Sequence, residues 1–102
     1  MTPIADQAEL DAALAVNPRV VVMFEASWCG PCKQIAPKYA QFAVAYGTIT
    51  FLSVDVDVAV DVALKYDISS MPNFVTIRDG KEMDRFSGAN PERLEEKLKA
   101  LT

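Results

Sequence analysis

Apolar and polar residues alternate along this chain with two different periods, and each change of period marks a change of element. Leu10, Ala13 and Leu14 recur at helical spacing behind Asp6, and Glu9 follows Asp6 by three residues as in a capping box. They predict a first helix over Gln7 to Val16. Asn17-Pro18 ends it, because a proline ring cannot continue the hydrogen-bond ladder. From Arg19 to Ala26 the chain is dominated by Val20, Val21, Val22, Met23 and Phe24, a continuous apolar run that predicts a strand buried on both faces. Helical spacing returns from Cys32 to Tyr46, where Ile35, Tyr39 and Phe42 form an apolar stripe among good helix formers. Pro37 should kink this second helix, and Gly47 stands where a C-terminal cap is expected.

The middle of the chain sets two patterns against each other. Thr48 to Asp55 is rich in strand formers, and valine continues to alternate with aspartate and alanine from Val54 through Val62. Taken alone, that alternation gives a strand of unusual length. Ala59, Ala63, Leu64 and Lys65 favour helix instead, so a short helix is expected over Val58 to Tyr66 with Asp57 as its cap. Asn73 to Arg78 and Glu82 to Ser87 read as antiparallel strands joined at Asp79-Gly80, where both residues tolerate positive φ. Asn90 caps a last helix that has Pro91 at its first position and Leu94, Leu98 and Leu101 on one face. With a short strand around Thr2 to Ile4, this order predicts an α/β fold, a central sheet covered by helices on both faces.

Composition narrows the functional classes. At 102 residues, about half of them apolar, the chain suffices for one domain over residues 1–102 with its own core. Fourteen acidic against ten basic residues, with both signs spread along the chain, leave no basic face for a phosphate backbone, so nucleic acid is not an expected partner. No apolar run approaches the ~20 residues that span a bilayer, and the start of the chain carries no basic flank before an apolar stretch. The expected setting is the cytosol or another reducing compartment. There, one pair of cysteines in a chain with an ample core points to redox catalysis or metal binding.

Both cysteines lie in the run Trp28-Cys29-Gly30-Pro31-Cys32. Chance would place two cysteines at this spacing in roughly 2% of arrangements, so the pair reads as a working unit. A strand, a turn and a helix put Cys29 at a helix N-terminus and Cys32 one turn further in. Unpaired backbone N–H groups and the helix dipole stabilise a thiolate there, which makes Cys29 the better nucleophile. Cys29 would attack a substrate disulfide, and Cys32 would then attack Cys29 and release the reduced product. Gly30 lets another chain approach, Pro31 stiffens the turn, and Trp28 offers a flat apolar surface. Two other readings of the pair stay open. An inert structural bridge would close too short a loop to constrain the unfolded chain much. A zinc site would need four ligands, and the chain has no histidine and no third cysteine, so carboxylates or a second subunit would have to complete it. The lack of histidine also excludes a cysteine–histidine hydrolase.

The run Trp28-Cys29-Gly30-Pro31-Cys32-Lys33 resembles the active-site signature of thioredoxins, and the likeness extends along the chain in one register. Pro37 resembles that family's helix-kinking proline, Met71-Pro72 its cis-proline loop, Asp79-Gly80 its hairpin, and Ser87-Gly88-Ala89-Asn90 its segment before the last helix. The resemblance implies the thioredoxin fold, with a mixed sheet and the cysteine motif beside the cis-proline loop. It further implies that Trp28, Gly30, Pro31, Met71, Pro72, Gly88 and Ala89 surround Cys29 as a substrate-docking surface, with Lys33 completing the motif. No bound cofactor or metal is expected. The redox-active group would be the Cys29–Cys32 disulfide, the substrates protein disulfides, and the recharging partner an NADPH-dependent thioredoxin reductase, with the protein acting as a monomer.

Two positions depart from the family pattern. Six residues before the first active-site cysteine, where thioredoxins typically bury an aspartate that helps deprotonate the second cysteine, this chain has Met23. Where some members place a lysine, it has Ser53. Glu25 is the second departure. It is expected to be an ordinary solvated carboxylate, with service as a substitute base the alternative. The expected function is that of a protein-disulfide reductase, and the alternative is a thioredoxin-fold binding module with weak or no turnover.

Overall fold

The computed structural model describes residues 1–102. In chain order its elements are β1 (Thr2–Pro3), α1 (Gln7–Val16), β2 (Arg19–Glu25), α2 (Gly30–Ala45), β3 (Thr50–Asp55), α3 (Val60–Lys65), β4 (Asn73–Arg78), β5 (Lys81–Ser87) and α4 (Pro91–Leu101). The strands form one mixed sheet in the order β1-β3-β2-β4-β5, parallel from β1 to β2 and antiparallel from β2 to β5.

Period-two side-chain alternation along β2 explains why its apolar run is continuous. Val21 and Met23 face one side and join Ile35, Tyr39 and Phe42 of α2 and Leu94, Leu98 and Leu101 of α4. Val20, Val22 and Phe24 face the other and join Leu10 of α1 and Val62 of α3. Each face of the sheet thus has its own core, and β2 contributes to both. The two edges of the sheet are protected differently. β5 exposes Lys81, Glu82 and Asp84, and β1 is only two residues long, both of which discourage pairing with another sheet.

Several expected details differ. The capping box closes one residue early, since Asp6 accepts from the Glu9 N–H while the Glu9 carboxylate accepts from Ala5. Tyr46 caps α2 by donating its N–H to the Phe42 carbonyl, and Gly47 does not take the positive φ of a glycine cap. Asp57 does not cap α3. That helix starts later, after Ala59 and without a side-chain cap, and the Asp57 carboxylate is used by Trp28. The valine alternation does not continue as one long strand, since β3 ends at Asp55 and the chain turns before α3 begins at Val60. Asp79 and Gly80 take φ of 51° and 80°, the left-handed pair a tight hairpin requires.

Candidate active site

Three chain segments meet at one end of the sheet because of strand register. Phe24 lies opposite Asn73, so the loop leaving β2 and the loop entering β4 are neighbours. Asn73 in turn lies opposite Ser87, which brings the exit of β5 to the same end. The cysteine motif, Met71-Pro72 and Gly88-Ala89, far apart in sequence, therefore share one surface. Gly88 donates its N–H to the Pro72 carbonyl at 2.9 Å, and its φ of 109° is one that a side chain rarely permits. The Met71–Pro72 peptide is cis.

Cys29 is the N-cap of α2, and its Sγ accepts the N–H of Cys32 at 3.2 Å. The two cysteines form a disulfide with their Cα atoms 5.3 Å apart. Both sulfurs lie in a small apolar nest with Ala26, against which Met71 and Val56 pack. Pro31 falls in the first turn, where a missing N–H leaves no intrahelical bond unmade. Lys33 is exposed on the same turn. A Cβ at Gly30 would touch no atom of this chain within 4 Å, so the space that glycine leaves open lies outside the fold. Ala89 is partly buried and packs against the α2 and α4 core.

Trp28 stands 67% exposed beside the motif, and its indole Nε1–H donates to the Asp57 carboxylate at 2.9 Å. Sequence reasoning assigned Asp57 to a helix cap and missed this contact. No local signal reveals a partner 29 residues away. It arises because β2 and β3 are parallel neighbours whose C-terminal loops emerge at the same end.

Beneath the motif, Met23 is completely buried between Ser53 on β3 and Phe74 on β4. The two residues that replace the family's charged pair are thus direct cross-strand partners. Glu25 departs from expectation. It is half-buried, and burial first, then the Asp55 carboxylate opposite it, raise its carboxyl above the ordinary range. Its charge also contributes, after burial, to the strong upward shift of the buried Tyr39 hydroxyl. Glu25, Asp55 and Ser53 line an open depression of about 370 Å³. No group of three or more metal-ligating side chains is gathered anywhere in the chain.

The family model for Thioredoxin matches residues 2–100 of this chain, nearly its whole length. The chain belongs to the thioredoxin family. The thioredoxin of Gallus gallus is 46% identical over 95 residues, which cover 93% of this chain and 89% of that one. Thioredoxin-1 of Schizosaccharomyces pombe is 40% identical over 97 residues, covering 95% and 94%. The solved thioredoxin of Fasciola hepatica is 42% identical, with a TM-score of 0.97 over 100% of both chains. As a thioredoxin with its disulfide in place, the protein is a thiol-disulfide oxidoreductase that reduces protein disulfides. Its redox group is part of the chain itself, as it is in thioredoxins generally. The binding-module alternative is not favoured.

Proposed function

We propose that Cys29 is the attacking and Cys32 the resolving cysteine of this thioredoxin. The observation that carries this order is the cap: Cys29 Sγ accepts the Cys32 N–H at the mouth of α2. In the dithiol form, the same N–H and the helix dipole favour negative charge on that sulfur. The Cys29 thiolate attacks one sulfur of a client disulfide and expels the other as a thiolate. Cys32 then loses its proton and attacks Cys29 Sγ, forming the Cys29–Cys32 disulfide and releasing the second client thiol. Two electrons pass to the client.

Trp28, Gly30, Pro31, Met71, Pro72, Gly88 and Ala89 form the docking surface, with the Met71 backbone pairing with an extended client segment. Support comes from the open space at Gly30, the exposure of Trp28 and the convergence of the three loops. Residues 1–102 act as one domain and as a monomer in the cytosol, where an NADPH-dependent thioredoxin reductase returns the disulfide to the dithiol. Replacement of a buried acid by Met23 slows the loss of the Cys32 proton, so resolution is slower than in thioredoxins that retain the acid.

A Cys32→Ser variant tests the assignment. It accumulates mixed disulfides between Cys29 and client proteins, whereas Cys29→Ser accumulates none. If neither variant traps a client, electron transfer through this pair is wrong and the binding-module reading returns. The equilibrium potential of the couple should then lie near that of reducing family members, about -270 mV, rather than near the oxidising extreme of about -120 mV.

A further inference from the structure

Two arginines outside the redox site face each other at the opposite end of the sheet. Arg19 opens β2 and Arg78 closes β4, and the antiparallel register sets them directly opposite one another. Their side chains therefore leave the same face of the sheet. It is the face covered by α2 and α4, for Val21 and Met23, in phase with Arg19, belong to that core. Arg78 also donates through Nη2 to the Leu101 carbonyl at the end of α4. The seven residues of β2 hold this end roughly 20 Å from the cysteines.

Like charges set directly opposite one another destabilise a sheet. Neither arginine forms an ion pair, since the ion pairs of the chain are Arg85 with Glu82 and Lys97 with Asp84, and the nearest acid by sequence and register is Asp79 on the rim. The Nε–H groups of Arg19 and Arg78 are both shut away from solvent with no hydrogen-bond partner. A buried donor left unmatched is costly, and more so when it belongs to a charged group. Both arginines line one open depression of about 210 Å³ together with Pro18 and Asp79.

We propose that this depression binds a small tetrahedral oxyanion, either inorganic phosphate or the phosphoryl end of a monoester, between Arg19 and Arg78. The terminal Nη groups of Arg19 and the Nη1 of Arg78 make no hydrogen bond within the chain, and donors from two guanidinium groups are better matched by an acceptor with more than the two oxygens of a carboxylate. Phosphate supplies them, and its charge matches that of the arginine pair. Asp79 on the rim opposes the anion and sets the limit on affinity.

The test follows the Arg Nε–H resonances by ¹H–¹⁵N NMR during titration with inorganic phosphate, chloride being exchanged to hold ionic strength constant. A second titration uses glycerol phosphate. The Arg19 and Arg78 signals are expected to shift together and saturably in at least one titration, and comparison of the two tells a free anion from a monoester. Arg19→Gln weakens binding at least about tenfold, the worth of a lost charge-assisted pair. Asp79→Asn tightens it severalfold, whereas a cation site built on Asp79 would be abolished. In phosphate-free buffer Arg19→Gln is at least as stable as the parent, because the like-charge contact is relieved, and it reduces disulfides at the parent rate. No saturable shift with either ligand, or equal affinity in Arg19→Gln, overturns the proposal.

Discussion

Replacing Met23 with aspartate would restore the acid that the family usually buries, at a cost the structure makes calculable. Met23 is completely enclosed in the apolar core under α2 and α4, with Ser53 and Phe74 as its cross-strand partners. The nearest charge on the same face of the strand is Glu25, another carboxylate. Burial and the like charge both raise the pKa of the new acid, by ~3–5 units for a fully buried group. In the unfolded chain it titrates near 3.9. A folded pKa above the unfolded one means that the native state binds more protons across that window, so stability falls as pH rises through it. Each pH unit removes about 1.4 kcal/mol, or about 4 kcal/mol between pH 4 and pH 7. Loss of the methionine side chain adds about 2–3 kcal/mol at every pH. Urea unfolding of Met23→Asp and Met23→Asn between pH 4 and pH 8 separates the two contributions, because only the first ionises. We expect parallel losses at pH 4 and a widening gap above it. In the same variant, single-turnover release of client from the mixed disulfide should accelerate by about 10²-fold, the lower range for a positioned base. Curves that stay parallel across the range would refute the burial reasoning, and an unchanged release rate would refute the assignment of Met23 as the slow point of resolution.

Glu25→Gln should gain stability at neutral pH, because the carboxyl of the native residue is raised and its ionised form is disfavoured in the fold. The gain stays below about 1 kcal/mol after solvent screening and vanishes below about pH 4, where both chains are uncharged at this site. A pH-independent difference in urea midpoints would contradict it. The same variant decides whether Glu25 accepts the Cys32 proton: if it does, the pH profile of resolution loses its acid limb, and if the profile is unmoved, it does not. Tyr39→Phe removes a hydroxyl that is 2.7 Å from the Leu52 carbonyl and 3.1 Å from that of Val21. With one proton to donate, it serves the nearer acceptor, so a loss of about 1 kcal/mol with an unchanged urea m-value is expected. Asn90→Ala deletes the side chain that accepts the Arg93 N–H at 3.0 Å and should cost about 1 kcal/mol in thermal or urea unfolding, with Asn90→Asp restoring most of it.

The elements most legible in sequence were those whose signals are local. α1 and α4 begin where Asp6 and Asn90 supply caps, and β4 and β5 meet at the Asp79-Gly80 turn, because a cap or a left-handed turn depends on a few adjacent residues. α3 was less legible. It starts later than expected, after a turn in which Val58 and Ala59 donate to the Asp55 carbonyl, and Asp57, a good cap by type, is engaged by Trp28 from the neighbouring loop. Glu25 was misjudged for a related reason. A carboxylate near a strand end reads as solvated until the partner strand sets Asp55 opposite it and the sheet's surroundings remove part of its water.

Local patterns and spacing thus determined the type and order of the elements, the cysteine pair and its place at a helix N-terminus, since each is encoded within a few residues of itself. Beyond the β4–β5 hairpin and the loops that the family resemblance set beside the cysteines, which segments stand side by side was decided by tertiary structure. Strand order and register bring Met71-Pro72 and Gly88 to the cysteines, pair Trp28 with Asp57, seat Met23 opposite Ser53, and set Arg19 against Arg78. Side-chain periodicity tells a strand which faces to bury, but it carries no information about the neighbour on either side. That neighbour is chosen by the packing of the whole sheet between its two helical layers, and with it the charge and solvation of every group at the sheet's two ends.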